Sequence, residues 1–210
     1  MHINLIFFFK NCRSSGAGKT TLLTEMLINH QHTFAFEPTE VHIYFTESQN
    51  AYSKIVQDCN MPVFLHQEMP TLENLPQRNS IIVWDDFQNT KATEVINKFF
   101  LKICRHNDIT GVFILQNLFD SRDRFIRSIN LNSSLLIVFK NVRDNLLISH
   151  LSKQAFPGKK NILVKVLDHI TKSNPRGYLA IYFSPDLEDK FRIRDSVFVG
   201  YRDSAIYILK

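Results

Sequence analysis

The sequence predicts an α/β fold: a central, mostly parallel sheet with helices on both faces and a β extension near the C-terminal end. Three observations carry that expectation. Short apolar runs rich in β-branched residues alternate with stretches of helical periodicity along the 210 residues. One such run leads through small residues into a helical stretch, in "RSSGAGKTT" (13–21). Another, "SIIVWDDF" (80–87), ends in two adjacent acids.

Strands are expected at 3–9, 41–46, 63–66, 81–85, 111–116, 135–140, 178–183 and 191–198, each a short apolar run bounded by polar or turn-forming residues. Helices are expected at 19–30, 51–59, 92–106, 143–154 and 160–172. In the last, Ile162, Val166 and Ile170 recur every four residues, and Leu163 and Leu167 widen the stripe. In the fourth, Leu147, Leu151 and Phe156 give a looser one. Residues 122–127 read as a loop running into a helix, and Asn130 and Asn132 as turn or sheet-edge residues. There is no internal repeat and no Pro/Gly-rich linker, so a single domain over 1–210 is expected.

Composition narrows the class. Hydrophobic residues at 44% and charged residues at 21% are ordinary for a soluble globular protein. The early apolar run 5–9 is far too short to span a bilayer. It has neither a basic lead-in nor a small-residue cleavage site, so neither a membrane span nor a signal peptide is expected. Cys12, Cys59 and Cys104 form no CxxC pair, which fits a reduced intracellular compartment without a disulfide framework or structural zinc. Charge is unevenly spread: residues 1–116 hold 9 Lys+Arg against 11 Asp+Glu, whereas 117–176 hold 11 against 4. That excess is either a solvated face or a contact for a polyanion.

The stretch "RSSGAGKTT" carries the first chemistry. A phosphate-binding loop needs a strand, a turn of small residues, and a helix whose first N–H groups face the anion. Gly18, Lys19 and Thr20 match the end of G-x-x-x-x-G-K-[ST]. Ser15, Gly16 and Ala17 are small enough for the backbone to wrap phosphates, and Thr21 completes the nucleotide-binding set. Lys19 would reach the β- and γ-phosphates of ATP, and the Thr20 hydroxyl would bind Mg²⁺. Arg13 stands where the pattern has its first glycine, which must re-route the exit from the strand.

The acids Asp85 and Asp86 close the 81–85 strand. An acid there holds Mg²⁺ in phosphoryl-transfer sites, and a neighbour can orient and deprotonate the attacking water. Asp85 takes the metal role and Asp86 that of the base. Farther on, the strand 111–116 ends in Gln116, where strand ends of α/β sheets face the ligand crevice. Gln116 is either a contact to the γ-phosphate or lytic water, or a turn residue. Arg105 either caps a helix end or stabilises transition-state charge in a neighbouring subunit. His106 has no partner at metal-ligand spacing.

Together, "SSGAGKT", "IIVWDDF", "CRHNDITGVFILQNLF", "RSINLNSSLLIVFKNVRD" and "GYLAIYF" resemble the viral genome-packaging ATPases of the FtsK/HerA superfamily. The versions in poxvirus-like viruses, virophages and Polinton/Maverick (adintovirus-type) elements are the most alike. The resemblance runs from about residue 3 to 200. It implies a P-loop NTPase of the RecA/FtsK-like type, in which the strand bearing Gln116 is inserted between the two nucleotide-binding strands. It also implies Arg105 as a trans-acting finger, a homo-oligomeric ring, capsid-protein partners, and double-stranded DNA gripped without base reading. The location implied is a host nucleus or a cytoplasmic virus factory, or the virion itself. Two residues depart from the family pattern: Arg13 for glycine, and Asp86 where many relatives outside the viral branch have glutamate.

Arg122, Arg124, Arg127, Lys140, Arg143, Lys153, Lys159 and Lys160 supply the basic segment, suited to phosphate contacts that are made and released. Two other readings fit parts of the sequence. A small nucleotide or nucleoside kinase would use "SRDRFIR" as an arginine-rich lid. A decayed copy would bind nucleotide or DNA without turnover, as Arg13 suggests.

Overall fold

The computed structural model describes residues 5–8, 18–34, 36–76, 78–87, 90–102, 108–115, 124–140, 145–184, 187–198 and 204–208. In chain order the elements are β1 (Leu5–Phe8), α1 (Lys19–Ile28), β2 (Glu40–Phe45), α2 (Asn50–Asp58), β3 (Val63–His66), β4 (Ser80–Asp85) and α3 (Thr90–Lys102). They continue with β5 (Ile109–Leu115), α4 (Arg124–Leu131), β6 (Leu135–Phe139), α5 (Asn145–Ala155), α6 (Ile162–Ser173), β7 (Tyr178–Tyr182) and β8 (Ile193–Arg194).

The strands form one sheet in the order β3-β2-β4-β5-β1-β6-β7-β8. All pairings from β3 through β6 are parallel, and β7 and β8 run antiparallel as the C-terminal extension. The order has one consequence for the site. β5 lies between β1 and β4, pairing Leu5 with Val112 on one side and Val83 with Val112 on the other. The inserted strand that the resemblance implies is therefore present.

Why the strands read as unbroken apolar runs is clear from the layers. Every residue of β4, β5 and β6 is buried, as expected where helices cover both faces of a parallel sheet. Period-2 alternation then sorts their side chains between two cores. Ile81, Val83, Val112 and Ile114 pack with Leu23 and Met26 of α1 and Tyr52 and Ile55 of α2. Ile82, Trp84 and Phe113 pack on the opposite face with Phe99 and Phe100 of α3, Ile129 of α4 and Leu163 and Leu167 of α6. Gly111 permits the closest approach in the second core: a Cβ there would lie 2.9 Å from a Phe99 ring carbon and 3.0 Å from Phe100.

Differences from expectation have local causes. The C-terminal strand is only two residues long, because a 3-10 turn at Asp189–Phe191 occupies its expected start. The Arg192 Nε to Asp189 Oδ1 ion pair at 2.8 Å closes that turn. Asn130 lies inside α4 rather than in a turn. Asn132 lies in the turn that follows the helix, as the turn reading has it, and donates its side-chain amide to the Ser128 carbonyl at 2.8 Å. At the far sheet edge, His42 and His66 meet ring to ring, Nδ1 to Nε2 at 3.0 Å.

Candidate functional site

The strand ends of β2 and β4 and the first turn of α1 converge on one cluster. Gly18 precedes α1 with φ 91°, a left-handed conformation that glycine adopts without strain. A Cβ at Gly18 would lie 3.3 Å from a Phe139 ring carbon at the end of β6, and 4.0 Å from the Arg176 carbonyl before β7. The left-handed turn and the packed ring both demand glycine there. Leu22 N donates to the Gly18 carbonyl at 2.8 Å, so the helix is wound from its first residue. Gly18 at the N-cap position offers no side-chain acceptor to the N–H groups of the first turn. Such an end is suited to an anion.

Lys19 is half-buried in the first turn of α1. Loss of hydration pushes its ammonium below the usual lysine range, opposed by the charges of Asp85 and then Asp86. That opposition shows both acids to be electrostatic neighbours of Lys19. Asp85 ends β4 and is only 4% exposed. Burial raises its carboxyl above the ordinary range, partly offset by the Tyr52 hydrogen bond and the Lys19 charge. Asp86 follows with φ 65°, and its N–H donates to the Ile114 carbonyl of β5 at 3.3 Å. A non-glycine residue held in that region stores strain of a kind that concentrates at functional sites. The strand stops there, between its two acids.

Two residues of the cluster were not anticipated. Tyr52 of α2 donates its hydroxyl to Asp85 Oδ2 at 2.7 Å. Gln49, just before α2, donates its side-chain N–H to the same oxygen at 3.0 Å. The Gln49 carbonyl oxygen in turn accepts the Thr20 hydroxyl proton at 2.7 Å. One amide thus spans the gap between Thr20 and Asp85, joining the phosphate-loop helix to the acidic strand. The signal for Gln49 was present in "TESQNAY": a polar residue just past a strand end, the argument already applied to Gln116.

The Thr20 hydroxyl and the Asp85 carboxylate are hard oxygen donors close enough to share one amide. That set fits Mg²⁺, which takes one or two carboxylates and completes its shell with substrate phosphates and water. Among the described residues no group of three or more His, Cys, Asp or Glu gathers as an all-protein metal cage. Thr21, beside Thr20, is exposed. Ser15, Gly16, Ala17, Arg13, Arg105 and Gln116 lie outside the described residues. Of the basic segment, Lys140 pairs with Asp168 at 2.7 Å, whereas Arg127, Lys153 and Lys160 are exposed. Among the described residues no helix is long and apolar enough to cross a membrane.

No family model and no curated protein matches this chain. Among solved structures, it is similar to an ATPase from the type III secretion system of pathogenic bacteria, at 14% identity and a TM-score of 0.41. That match covers 75% of this chain and 54% of the other, so the chain spans about half the length of that ATPase. A likeness of this size carries no part of the assignment, which stands on the strand order and on the residues at the strand ends. With β5 inserted between β1 and β4, and Lys19, Thr20, Asp85 and Asp86 gathered at one end of the sheet, the chain has the fold of the P-loop nucleoside triphosphatases.

Proposed function

We propose that this protein is an ATP-hydrolysing DNA translocase that packages a double-stranded viral or element genome into a capsid. The observation that carries the hydrolytic part is the link from Thr20, in the first turn of the helix that follows Gly18 and next to Lys19, through the Gln49 amide to the strand-end acid Asp85. The triphosphate would lie against the N-terminal turn of α1, with the Lys19 ammonium on its β- and γ-phosphates. Mg²⁺ held by Thr20 and Asp85 would neutralise charge on the transferred phosphate. Asp86 would orient the attacking water and take its proton, helped by the Gln116 amide. Arg105 of a neighbouring subunit would meet the charge that develops in the transition state, which requires a ring or another closed assembly.

Support for DNA as the partner comes from the basic excess in 117–176 and from the exposure of Arg127, Lys153, Lys160, Lys165, Lys172 and Arg176. Lys140, paired with Asp168, is not counted among the DNA contacts. Packaging, capsid partners and the ring rest on the motif resemblance.

The decisive assay measures phosphate release by the purified protein with and without long duplex DNA, alongside the size of the assembled species. Acceptor-independent release, stimulated by duplex DNA and lost in Lys19→Ala with the fold intact, is the expected result. Release that requires a nucleoside or nucleotide acceptor would instead make this a kinase. Nucleotide binding with no release would make it a non-hydrolysing relic.

A further inference from the structure

We propose that Gln49 competes with the divalent cation for the site, setting how tightly the metal is held. This rests on the reading of Thr20 and Asp85 as the metal's ligands. A cation bonded to both must lie between the Thr20 hydroxyl and the Asp85 carboxylate, and the Gln49 amide lies there, 2.7 Å from one and 3.0 Å from the other. Toward Asp85 the amide also presents the wrong pole to a cation. Its N–H group faces Asp85, so it satisfies the carboxylate with the positive end of a dipole, as a metal would with a full charge.

Asp85 Oδ2 already accepts two hydrogen bonds, from Tyr52 and from Gln49, and these fill its two lone-pair positions. Tyr52 is 1% exposed and its ring packs on Phe45 at 4.9 Å, so it stays in place. Gln49 is the partner that can leave. Its backbone is anchored, the carbonyl accepting from Tyr52 N at 3.0 Å, whereas its side chain caps no helix N–H. Displacement therefore requires only a change of side-chain rotamer, with α2 left intact. Cation entry exchanges two amide hydrogen bonds for metal–oxygen bonds, and the metal's affinity is lowered by what those two bonds were worth.

The test is a Mn²⁺ titration followed by electron paramagnetic resonance, on the full chain with a non-hydrolysable ATP analogue present. Gln49→Met keeps the side-chain length and the start of α2 but removes both hydrogen bonds; Gln49→Ala is the second variant. Both are expected to bind Mn²⁺ about tenfold more tightly than wild type, the scale on which one hydrogen bond to a charged group counts. Unchanged or weaker binding in a folded variant overturns the proposal, because a ligand or a supporting residue would lose affinity when removed. Thr20→Val and Asp85→Asn separate the two levels of failure. If neither weakens Mn²⁺ binding, the site itself has been misassigned. If both weaken it and the Gln49 variants do not tighten it, only the role of Gln49 is wrong.

Discussion

Replacing Tyr52 by phenylalanine removes one oxygen from the centre of the cluster and little else. The ring keeps its place against Phe45, and the lost group is the donor to Asp85 Oδ2 at 2.7 Å. A hydrogen bond to a charged group contributes about 1.5–3 kcal/mol. For a chain of this size 1 kcal/mol moves the Tm by about 2–4 °C, so Tyr52→Phe should unfold about 3–12 °C below wild type at pH 8. The pH dependence is the sharper check. Asp85 has a folded pKa above its ordinary value, chiefly through burial, so its ionisation removes stability as pH rises through that folded value. Tyr52 moderates the shift by favouring the ionised form. In the variant the carboxyl is raised further and the loss on ionisation is larger. The Tm deficit should therefore be full at pH 8 and shrink as pH falls through the folded pKa of Asp85. Differential scanning calorimetry of both proteins from pH 8 to pH 4 reads it. A deficit that is absent at pH 8, or equal at every pH, would refute the reasoning.

Other expectations concern sites elsewhere. Gly111→Ala places a methyl group 2.9 Å from Phe99 and 3.0 Å from Phe100, and overpacking of this kind costs about 1–3 kcal/mol. Urea denaturation should show that loss, and Phe100→Leu in the same chain should recover part of it; an unchanged midpoint in the single variant would mean the rings yield freely. The rings of His42 and His66 are both held below the ordinary histidine range, first by burial, with the His42 charge also acting on His66. Groups whose folded pKa is lowered contribute stability that is full above the unfolded value near 6.5 and is lost as pH falls below it. His66→Ala should flatten the fall in Tm between pH 7 and pH 5, and an equally steep fall would point to other groups. Arg13→Gly restores the small residue of the loop pattern, so ATP hydrolysis should be kept or raised. A clear drop in phosphate release would make Arg13 a participant.

What the sequence revealed, and what it withheld, follows from the range of the interactions. Strand 81–85 was legible to within a residue, because burial on both faces leaves a continuous apolar run between polar ends. Strand 63–66 was legible as a short apolar run, even though its edge position leaves Phe64 and Leu65 exposed. Lys19, Thr20, Asp85 and Asp86 were legible because their chemistry is written in short motifs at strand and helix ends. The amide that joins them was not. Gln49 and Tyr52 lie far along the chain from Thr20 and Asp85, and only the parallel pairing of β2 with β4 brings Phe45 beside Asp85 and α2 over the site. The shortness of β8, expected as a strand over 191–198, was hidden for the opposite reason. Its apolar pattern survives, with Ile193, Val197 and Phe198 buried, but local bonds at Asp189–Phe191 compete for the backbone.

The position of β1 bears on how the chain is made. The stretches it pairs with on either side begin at Val112 and Leu135, both beyond the middle of the sequence. On the ribosome, "LIFF" emerges long before either neighbour exists; both its edges stay open until residue 115 has followed, and one of them until residue 138. Such distant pairings are slow to form, and an unpaired apolar strand is a target for association with other chains. The middle of the sheet thus closes late, well after its first strand is made, and a nascent-chain chaperone would do most for this protein during that interval.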